Sequence, residues 1–210
     1  MTRAAAQPAR RRVWGKPLPR QFYNRATELV ARELLGAVLE RRSREGVTRG
    51  RIVETEAYLG PHDPACHAAA GLTERNRCLF GPPGTAYVYF IYGIHWCVNA
   101  VTRERGFGSA VLIRALEPMS GMELMVARRG LSDIHALTSG PAKLCEALDI
   151  TGALDGVRLE RGPLRILAGE PVPDEQVVVT SRIGIRKAAD WPLRFVIQGS
   201  PFVSGGRHRA

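Results

Sequence analysis

The chain has 210 residues, of which 45% are hydrophobic and 24% charged, as expected for a globular protein with one large domain. Lys and Arg number 30 against 20 Asp and Glu, and the resulting formal charge of +10 favours an anionic partner such as nucleic acid. The sequence contains neither a run of about 18 apolar residues nor an apolar leader, so we expect no membrane-spanning helix and no secretory signal.

Arginine supplies nearly all of the positive charge, because Lys16, Lys143 and Lys187 are the only lysines. Arginine binds phosphate through two parallel hydrogen bonds and stacks on flat rings, although the codon usage of a GC-rich genome would also enrich it. The four cysteines include no C-x-x-C pair, which argues against a disulfide framework or a zinc site and fits a reducing cytosol.

The elements predicted in chain order describe one mixed domain. We expect a disordered basic tail over residues 1–17, the domain over 18–205 and a flexible end over 206–210. Strands are predicted over 37–42, 47–58, 84–92, 94–102, 109–116, 157–168, 175–181 and 193–198. The expected fold is α+β, with a curved, mainly antiparallel sheet forming an open, barrel-like core, peripheral helices and a protruding hairpin.

Three helices are predicted from their end signals. The first begins after Asn24 as N-cap, buries Leu29 among other apolar residues and ends at Gly36. The second follows a capping box of Ser120 and Glu123, and the third is opened by Ser139-Gly140-Pro141. Residues 59–78, rich in Gly, Pro, Ala and charge, are predicted to form a long loop, and such loops inside a domain are commonly functional.

Two glutamates and a tyrosine share one face of the strand over 47–58. Alternation along a strand places Glu54, Glu56 and Tyr58 together and leaves Val53 and Thr55 on the opposite, core-forming face. A pair of carboxylates suggests acid–base chemistry. The alternative is a solvent-exposed polar face, although the strand runs into a loop that holds further polar groups.

The segment YVYFIYG predicts a hairpin with tyrosine at its tip. Tyr92-Gly93 lies where the chain must reverse, and a tyrosine there either packs on a neighbouring loop or projects as a wedge between DNA base steps. A two-residue turn would direct Asn99 away from Tyr87 and Tyr89, whereas a three-residue turn or a bulge would bring Asn99 onto their face.

Several functional classes lack their motifs in this sequence. No phosphate-binding P-loop, dinucleotide-binding G-x-G-x-x-G, helix-turn-helix or zinc-deaminase pattern is present. Because no lysine accompanies the glutamates, a two-metal nuclease and a Schiff-base lyase are both disfavoured. The sequence indicates neither a metal site nor a cofactor.

Seven motifs occur together and in order: RIVETEAYLGPHDPACHA, TERNR, PGTAYVYFIYGIHWCVN, VLIRALEP, SGPAKLC, RGP and GSPF. Over roughly residues 18–204 the chain thereby resembles the alkyladenine (3-methyladenine) DNA glycosylase family of the mammalian type. The resemblance implies a monofunctional base-excision repair enzyme that flips a damaged purine out of double-stranded DNA and hydrolyses its N-glycosidic bond. The implied substrates are 3-methyladenine, 7-methylguanine, hypoxanthine and ethenoadenine.

The same resemblance assigns catalytic roles. It implies that Glu56 is the general base and that Arg114 and a backbone carbonyl near Ile197 help to hold the attacking water, whereas Glu54 is structural. Tyr92 would be the intercalating wedge.

It also assigns binding roles. Tyr58, His67 and Tyr89 would line the base pocket, and Asn99 would disfavour the amino group of guanine. The resemblance and the local patterns together predict that the DNA backbone is contacted by Lys143, Arg75 and Arg77. His95-Trp96 and Ala68-Ala69-Ala70 depart from the mammalian pattern.

Two alternatives stay open at this point: a non-catalytic protein that binds damaged DNA, and a metal-dependent nuclease. For the leading hypothesis we expect a monomer that needs no metal or nucleotide cofactor and does not bind a membrane. It would act in the bacterial cytoplasm at the nucleoid, or in the nucleus if the source is eukaryotic.

Overall fold

Strand β2 (Val47–Tyr58) is the axis of the fold, because three other strands pair with it. The computed structural model describes residues 15–205, and in this range the sheet has eight strands, all paired antiparallel. The others are β1 (Val38–Arg42), β3 (Ala86–Ile91), β4 (His95–Thr102), β5 (Ser109–Ser120), β6 (Leu164–Leu167), β7 (Val177–Thr180) and β8 (Arg194–Ile197).

The strand order β3-β4-β5-β2-β1-β6 is extended by β8, which pairs with the C-terminal half of β2 and carries β7. The sheet is not closed, and the α+β single domain predicted from the sequence is confirmed. The tail over 1–14 and the end over 206–210 lie outside the described residues. Lys16 and Pro17, which the predicted tail included, lie along β6, where the Lys16 carbonyl accepts a hydrogen bond from Ala168 N–H at 2.8 Å.

Short helices cover the sheet. They are α1 (Arg20–Tyr23), α2 (Thr27–Glu33), α3 (Met122–Arg129), α4 (Ile134–Leu137) and α5 (Pro141–Ala147). Within residues 15–205, 3-10 helices span His67–Ala70, Glu74–Phe80, Gly152–Leu154 and Asp174–Gln176, so the predicted loop over 59–78 is partly helical. The predicted strand over 157–168 is strand only at Leu164–Leu167.

Two predicted helix starts are wrong. Asn24 is the C-cap of α1, so α2 begins later, at Thr27, and leaves Leu29 44% exposed. Ser120 is the last residue of β5 and pairs with Arg49, so it is committed to the sheet and cannot cap α3. Gly121, in the left-handed region at φ 73°, makes that turn without a side-chain cap.

Paired irregularities shape the contact between β2 and β5. Glu54 pairs with Ala115 and Thr55 with Ile113, so Arg114 is an extra residue on β5; Ile52 pairs with Leu116, which makes Val53 the extra residue on β2. Such bulges turn a side chain out of the regular alternation. Arg114 can therefore approach the β2 glutamates.

Both faces of β2 are buried where it carries the glutamates. On one face Thr55 donates its hydroxyl hydrogen bond to the Ala31 carbonyl of α2 at 2.8 Å, as expected for the predicted core face. Glu54 and Glu56 have 0% exposure, which excludes the solvent-exposed alternative for these two side chains.

A third buried glutamate, Glu40, connects three strands of the sheet. Glu40 of β1 is 1% exposed and accepts hydrogen bonds from Arg42, Arg49 of β2 and Arg165 of β6. Burial alone would raise the pKa of Glu40, but these hydrogen bonds outweigh it and hold the pKa below its usual value.

We expect Glu40→Gln to lower the free energy of unfolding by about 2 kcal/mol at pH 7, because three partly exposed guanidiniums lose their common partner. A lowered carboxyl pKa stabilises the fold above the unfolded-state pKa, and this contribution is lost as the pH falls through the folded-state pKa. Urea unfolding of both proteins should therefore show their stabilities converging below about pH 4. A difference that persisted at low pH would contradict this origin.

Candidate active site

A cavity of about 390 Å³ opens where the end of β2 meets the β3–β4 hairpin. Its other walls come from Ala65–His67, from the start of α5 and from residues 183–185. The volume lies at the lower end of the range for small-molecule pockets, roughly 300–1,000 Å³, and suits one flat ring system. Aromatic or imidazole rings make up much of the lining: Tyr58, His67, Tyr87, Tyr89, Tyr92 and His95.

Three of these rings form one wall of the cavity. The His67 and Tyr89 ring centroids are 4.6 Å apart at 71°, an edge-to-face contact, and Tyr87 lies 5.3 Å from Tyr89. The Tyr87 hydroxyl is hydrogen-bonded to His67 Nδ1 at 2.9 Å, so Tyr87 holds the imidazole in place. Burial, and then the charge of Arg75, lower the pKa of His67, and the ring is therefore neutral at pH 7.

The hairpin has the odd register that places Asn99 at the cavity. Ile91 pairs with His95 across a three-residue turn, so Tyr87 pairs with Asn99. Asn99 is 5% exposed, lines the cavity and donates an amide hydrogen bond to the Tyr87 carbonyl at 3.0 Å. Of the two registers left open by the sequence, the three-residue turn is the one adopted.

Tyr92 stands at the mouth of the cavity, on the hairpin tip. Its side chain is 78% exposed, and its backbone has φ 55°, in the left-handed region that few non-glycine residues adopt. Gly93 follows at φ 70° and Ile94 is 67% exposed. Because Ile91 and Tyr92 also line the cavity, the exposed tip and the pocket are continuous.

Glu56 lies behind the cavity wall and is held by three residues that line it. Its Oε1 accepts from Ile183 N–H at 2.7 Å and lies 3.2 Å from Arg114 Nη1, while Oε2 accepts from the Tyr58 hydroxyl at 2.9 Å. Desolvation raises the pKa of Glu56 despite these three favourable contacts. A carboxylate with a raised pKa is a stronger proton acceptor near neutral pH.

Glu54 is in a different environment although it lies two residues away. It accepts from Arg114 Nε at 2.8 Å, Arg194 Nε at 2.7 Å and both the N–H and the hydroxyl of Ser204. Burial would raise the pKa of Glu54, but Arg114, Ser204 and Arg194 together lower it. Glu54 therefore stays ionised and orients Arg114, whereas Glu56 is the carboxylate whose protonation can change.

A backbone group that was not predicted from the sequence contacts Glu56. Ile197 lies in β8, paired with Val177, and does not line the cavity, whereas the main chain of Ile183 contacts Glu56 directly. The segment around Ile183 was not among the motifs to which the sequence assigned a role. Asp63 and Arg182, which form a buried ion pair next to it, were likewise not predicted as a pair.

A second cavity of about 530 Å³ adjoins the first and shares residues from Ala65 to His67 with it. Arg75, Arg186 and Lys187 line it, and no acidic side chain does. Arg186 and Lys187 were not among the predicted DNA contacts.

The three basic residues predicted to contact DNA are all exposed. Arg75 donates to the Phe90 carbonyl of the hairpin at 2.8 Å, Arg77 lies 3.7 Å from Glu74, and Lys143 is on α5, close to the cavity at the start of that helix.

Over residues 15–205, no group of three or more His, Cys, Asp or Glu side chains is arranged to hold a metal ion. In the same range no helix combines the length and apolar character needed to cross a membrane.

The chain is similar to known proteins over nearly all of its length. A family model described as "Methylpurine-DNA glycosylase (MPG)" matches residues 21–201. A protein of Methanoculleus marisnigri is 54% identical over 190 residues, covering 89% of this chain and 98% of the relative. One from Koribacter versatilis is 51% identical over 197 residues, covering 91% and 95%. Both carry the name "Putative 3-methyladenine DNA glycosylase".

A third relative with the same name, from Carboxydothermus hydrogenoformans, is 50% identical over 188 residues and covers 89% of this chain and 98% of its own length. The family model and the relatives agree with each other and with the resemblance seen in the sequence motifs. The chain therefore belongs to the methylpurine-DNA glycosylase family and is a DNA-repair hydrolase that acts on N-glycosidic bonds.

Proposed function

We propose that this enzyme flips a damaged purine nucleotide out of double-stranded DNA into the aromatic cavity and excises the base with Glu56 as general base. The observation that carries the proposal is a fully buried carboxylate with a raised pKa directly behind the wall of a cavity sized for one base, hydrogen-bonded to Tyr58 and Ile183, which line that cavity. The proposed substrates are 3-methyladenine, 7-methylguanine, hypoxanthine and ethenoadenine.

The cavity walls suit an alkylated purine. Methylation at N3 or N7 gives the base a positive charge, which the electron-rich faces of Tyr58 and Tyr89 attract. Because its pKa is lowered, His67 is neutral and contributes a ring to the wall without repelling a positively charged base. Asn99, fixed to the Tyr87 carbonyl, would stand against the C2 edge of the base and disfavour the amino group of guanine.

The proposed reaction is a hydrolysis with one activated water. The bond between C1′ and the purine nitrogen breaks and its electron pair leaves with the base, while water oxygen bonds to C1′ and passes its proton to Glu56. Ionised Glu56 and Glu54 stabilise the positive charge that develops on the sugar. Arg114, held by Glu54, would orient the water at the unfilled lone pair of Glu56 Oε2.

Tyr92 would replace the flipped base in the duplex. Its exposure at the cavity mouth supports this role, because the gap left by an extruded nucleotide opens beside the pocket that receives it. The second cavity, with its cationic residues, would follow the phosphates of the damaged strand. The cavity residues belong to one chain, and we propose that the enzyme acts as a monomer on chromosomal DNA.

Glu56→Gln should lower the single-turnover excision rate by at least about a hundredfold, because the amide cannot accept the proton from water. The measurement is the yield of alkali-labile abasic sites in a duplex with one hypoxanthine, compared with duplexes carrying the other three lesions. Glu104→Gln, which changes an exposed glutamate, is the matched control and should leave the rate unchanged. Wild-type protein that bound the lesion tightly but released no base would support the non-catalytic alternative.

Tyr92→Ala should weaken binding to a lesion duplex by about 5- to 150-fold, as expected when a base-stacking interaction worth roughly 1–3 kcal/mol is removed. Binding to an undamaged duplex should hardly change, because it rests on phosphate contacts. Fluorescence anisotropy with the two duplexes measures both quantities, and Val179→Ala, which shortens an exposed apolar side chain on β7, is the control. An equal loss of affinity for both duplexes would refute the wedge.

The double variant Arg186→Ala/Lys187→Ala should weaken binding to both duplexes. It should also reduce the slope of log affinity against log salt concentration by about 0.9 for each phosphate that the variant no longer neutralises. The control Arg20→Ala/Arg161→Ala removes two exposed cations that do not line either cavity, and its slope should match that of the wild type. Identical salt slopes for the two double variants would show that the second cavity does not contact DNA.

A further inference from the structure

A fully buried ion pair connects two walls of the base cavity. Asp63 and Arg182 both have 0% side-chain exposure, and the guanidinium donates from Nη1 to Oδ2 at 2.5 Å and from Nη2 to Oδ1 at 2.9 Å. This two-pronged geometry fixes the relative orientation of both side chains. Such a pair adds little net stability compared with apolar residues of the same shape, so its main consequence is geometric.

Asp63 organises the wall that precedes His67. Its carboxylate also accepts hydrogen bonds from Leu59 N–H at 3.1 Å and Ala65 N–H at 3.0 Å. These contacts close the loop directly after β2 and set the path of the chain into Ala65–His67, which lines the cavity.

Arg182 organises the opposite wall and the surroundings of Glu56. Its Nη1 also donates to the Ala57 carbonyl at 3.0 Å, and its guanidinium carbon lies 4.7 Å from the centroid of the Tyr58 ring. The next residue, Ile183, donates its N–H to Glu56 Oε1 at 2.7 Å. Arg182 thus contacts the strand on the C-terminal side of Glu56 and places the amide that holds it.

We propose that Asp63 and Arg182 are positioning residues for excision: the ion pair sets the spacing of the two cavity walls and holds the Ile183 amide and the Tyr58 ring against Glu56. This inference rests on the proposed role of Glu56. It adds that the proton acceptor is tuned from outside β2 and β5, by a pair that does not itself touch the substrate.

The charges around Glu56 set the direction of the expected effect. Tyr58 and Glu54 face it from its own strand, Arg114 from β5, Cys97 from β4 and Arg182 from the segment after β7. Removing the Arg182 charge and loosening the Ile183 amide both disfavour the ionised form of Glu56, and they outweigh the loss of the Asp63 charge, because Glu56 interacts with the Arg182 guanidinium and not appreciably with Asp63. Both changes therefore raise the pKa of Glu56, and the acid limb of the excision rate moves to higher pH.

The test uses the charge-neutral double variant Asp63→Asn/Arg182→Gln in the full chain, with Arg182→Lys as the conservative variant. In the double variant we expect the carboxyl of Glu56, followed by ¹³C NMR, to titrate about half a pH unit or more higher than in the wild type. The single-turnover rate at pH 6 should fall by up to about threefold for each half unit of that shift and recover as the pH rises, whereas lesion affinity should stay nearly unchanged. Arg182→Lys, which keeps the charge, should recover part of the rate at pH 6.

Glu40→Gln is the matched control, because it also removes a buried, arginine-bound carboxylate charge but lies away from the cavity. It should lower the melting temperature and leave both the titration of Glu56 and the acid limb unchanged. The proposal is overturned if the double variant keeps the wild-type titration and pH profile, or if it loses activity only in proportion to its stability. A wild type that releases no base would instead refute the proposed function, while the NMR titration would still decide the coupling.

Discussion

The structure depends on how two glutamates of one strand are kept buried. Taking a carboxylate out of water costs several kcal/mol unless charged and polar groups compensate. Around Glu54 the compensation is complete, with Arg114, Arg194 and Ser204 supplying donors from three parts of the chain. Around Glu56 it is partial, so two chemically identical side chains acquire pKa values shifted in opposite directions.

This difference follows from the bulged pairing of β2 and β5. In a regular register the direction of the Arg114 side chain would follow from alternation along β5. Because Arg114 is the extra residue of a bulge, its guanidinium contacts both glutamates. Arg114 is therefore shared unequally, with its closer contact to Glu54. The same strand carries Tyr58 to the cavity, and its hydroxyl, kept protonated because burial and Glu56 raise its pKa, remains a donor.

Much of the fold could be predicted because local signals dominate there. Alternating apolar residues located β2 and the two hairpin strands, and Tyr92-Gly93 located their turn. The burial of Glu54 and Glu56 could not be predicted, since Arg194 and Ser204, which bind Glu54, and Ile183, which binds Glu56, lie far along the chain. Predicted helix starts were wrong where the expected capping residue belongs to another element. Ser120, for example, is part of strand β5.

The site divides in the same way. Family motifs carry six of the residues that line the cavity, namely Tyr58, His67, Tyr89, Tyr92, Asn99 and Arg114. The contribution of the segment around Ile183 and Lys187 could not be predicted. It consists of a backbone amide and of two basic side chains that belong to no recognisable motif. A backbone donor has no residue type to recognise, so only the three-dimensional structure reveals it.

The three-residue turn at Tyr92 joins two properties of the enzyme that would otherwise be free to vary independently. Because strand side chains alternate, the number of residues in the turn decides whether Asn99 faces Tyr87 or points away from it. In this sequence a turn of two residues would pair Ile91 with Ile94 and direct Asn99 away from the cavity, so one turn fixes both which side chains are exposed at the tip and which polar group faces the cavity.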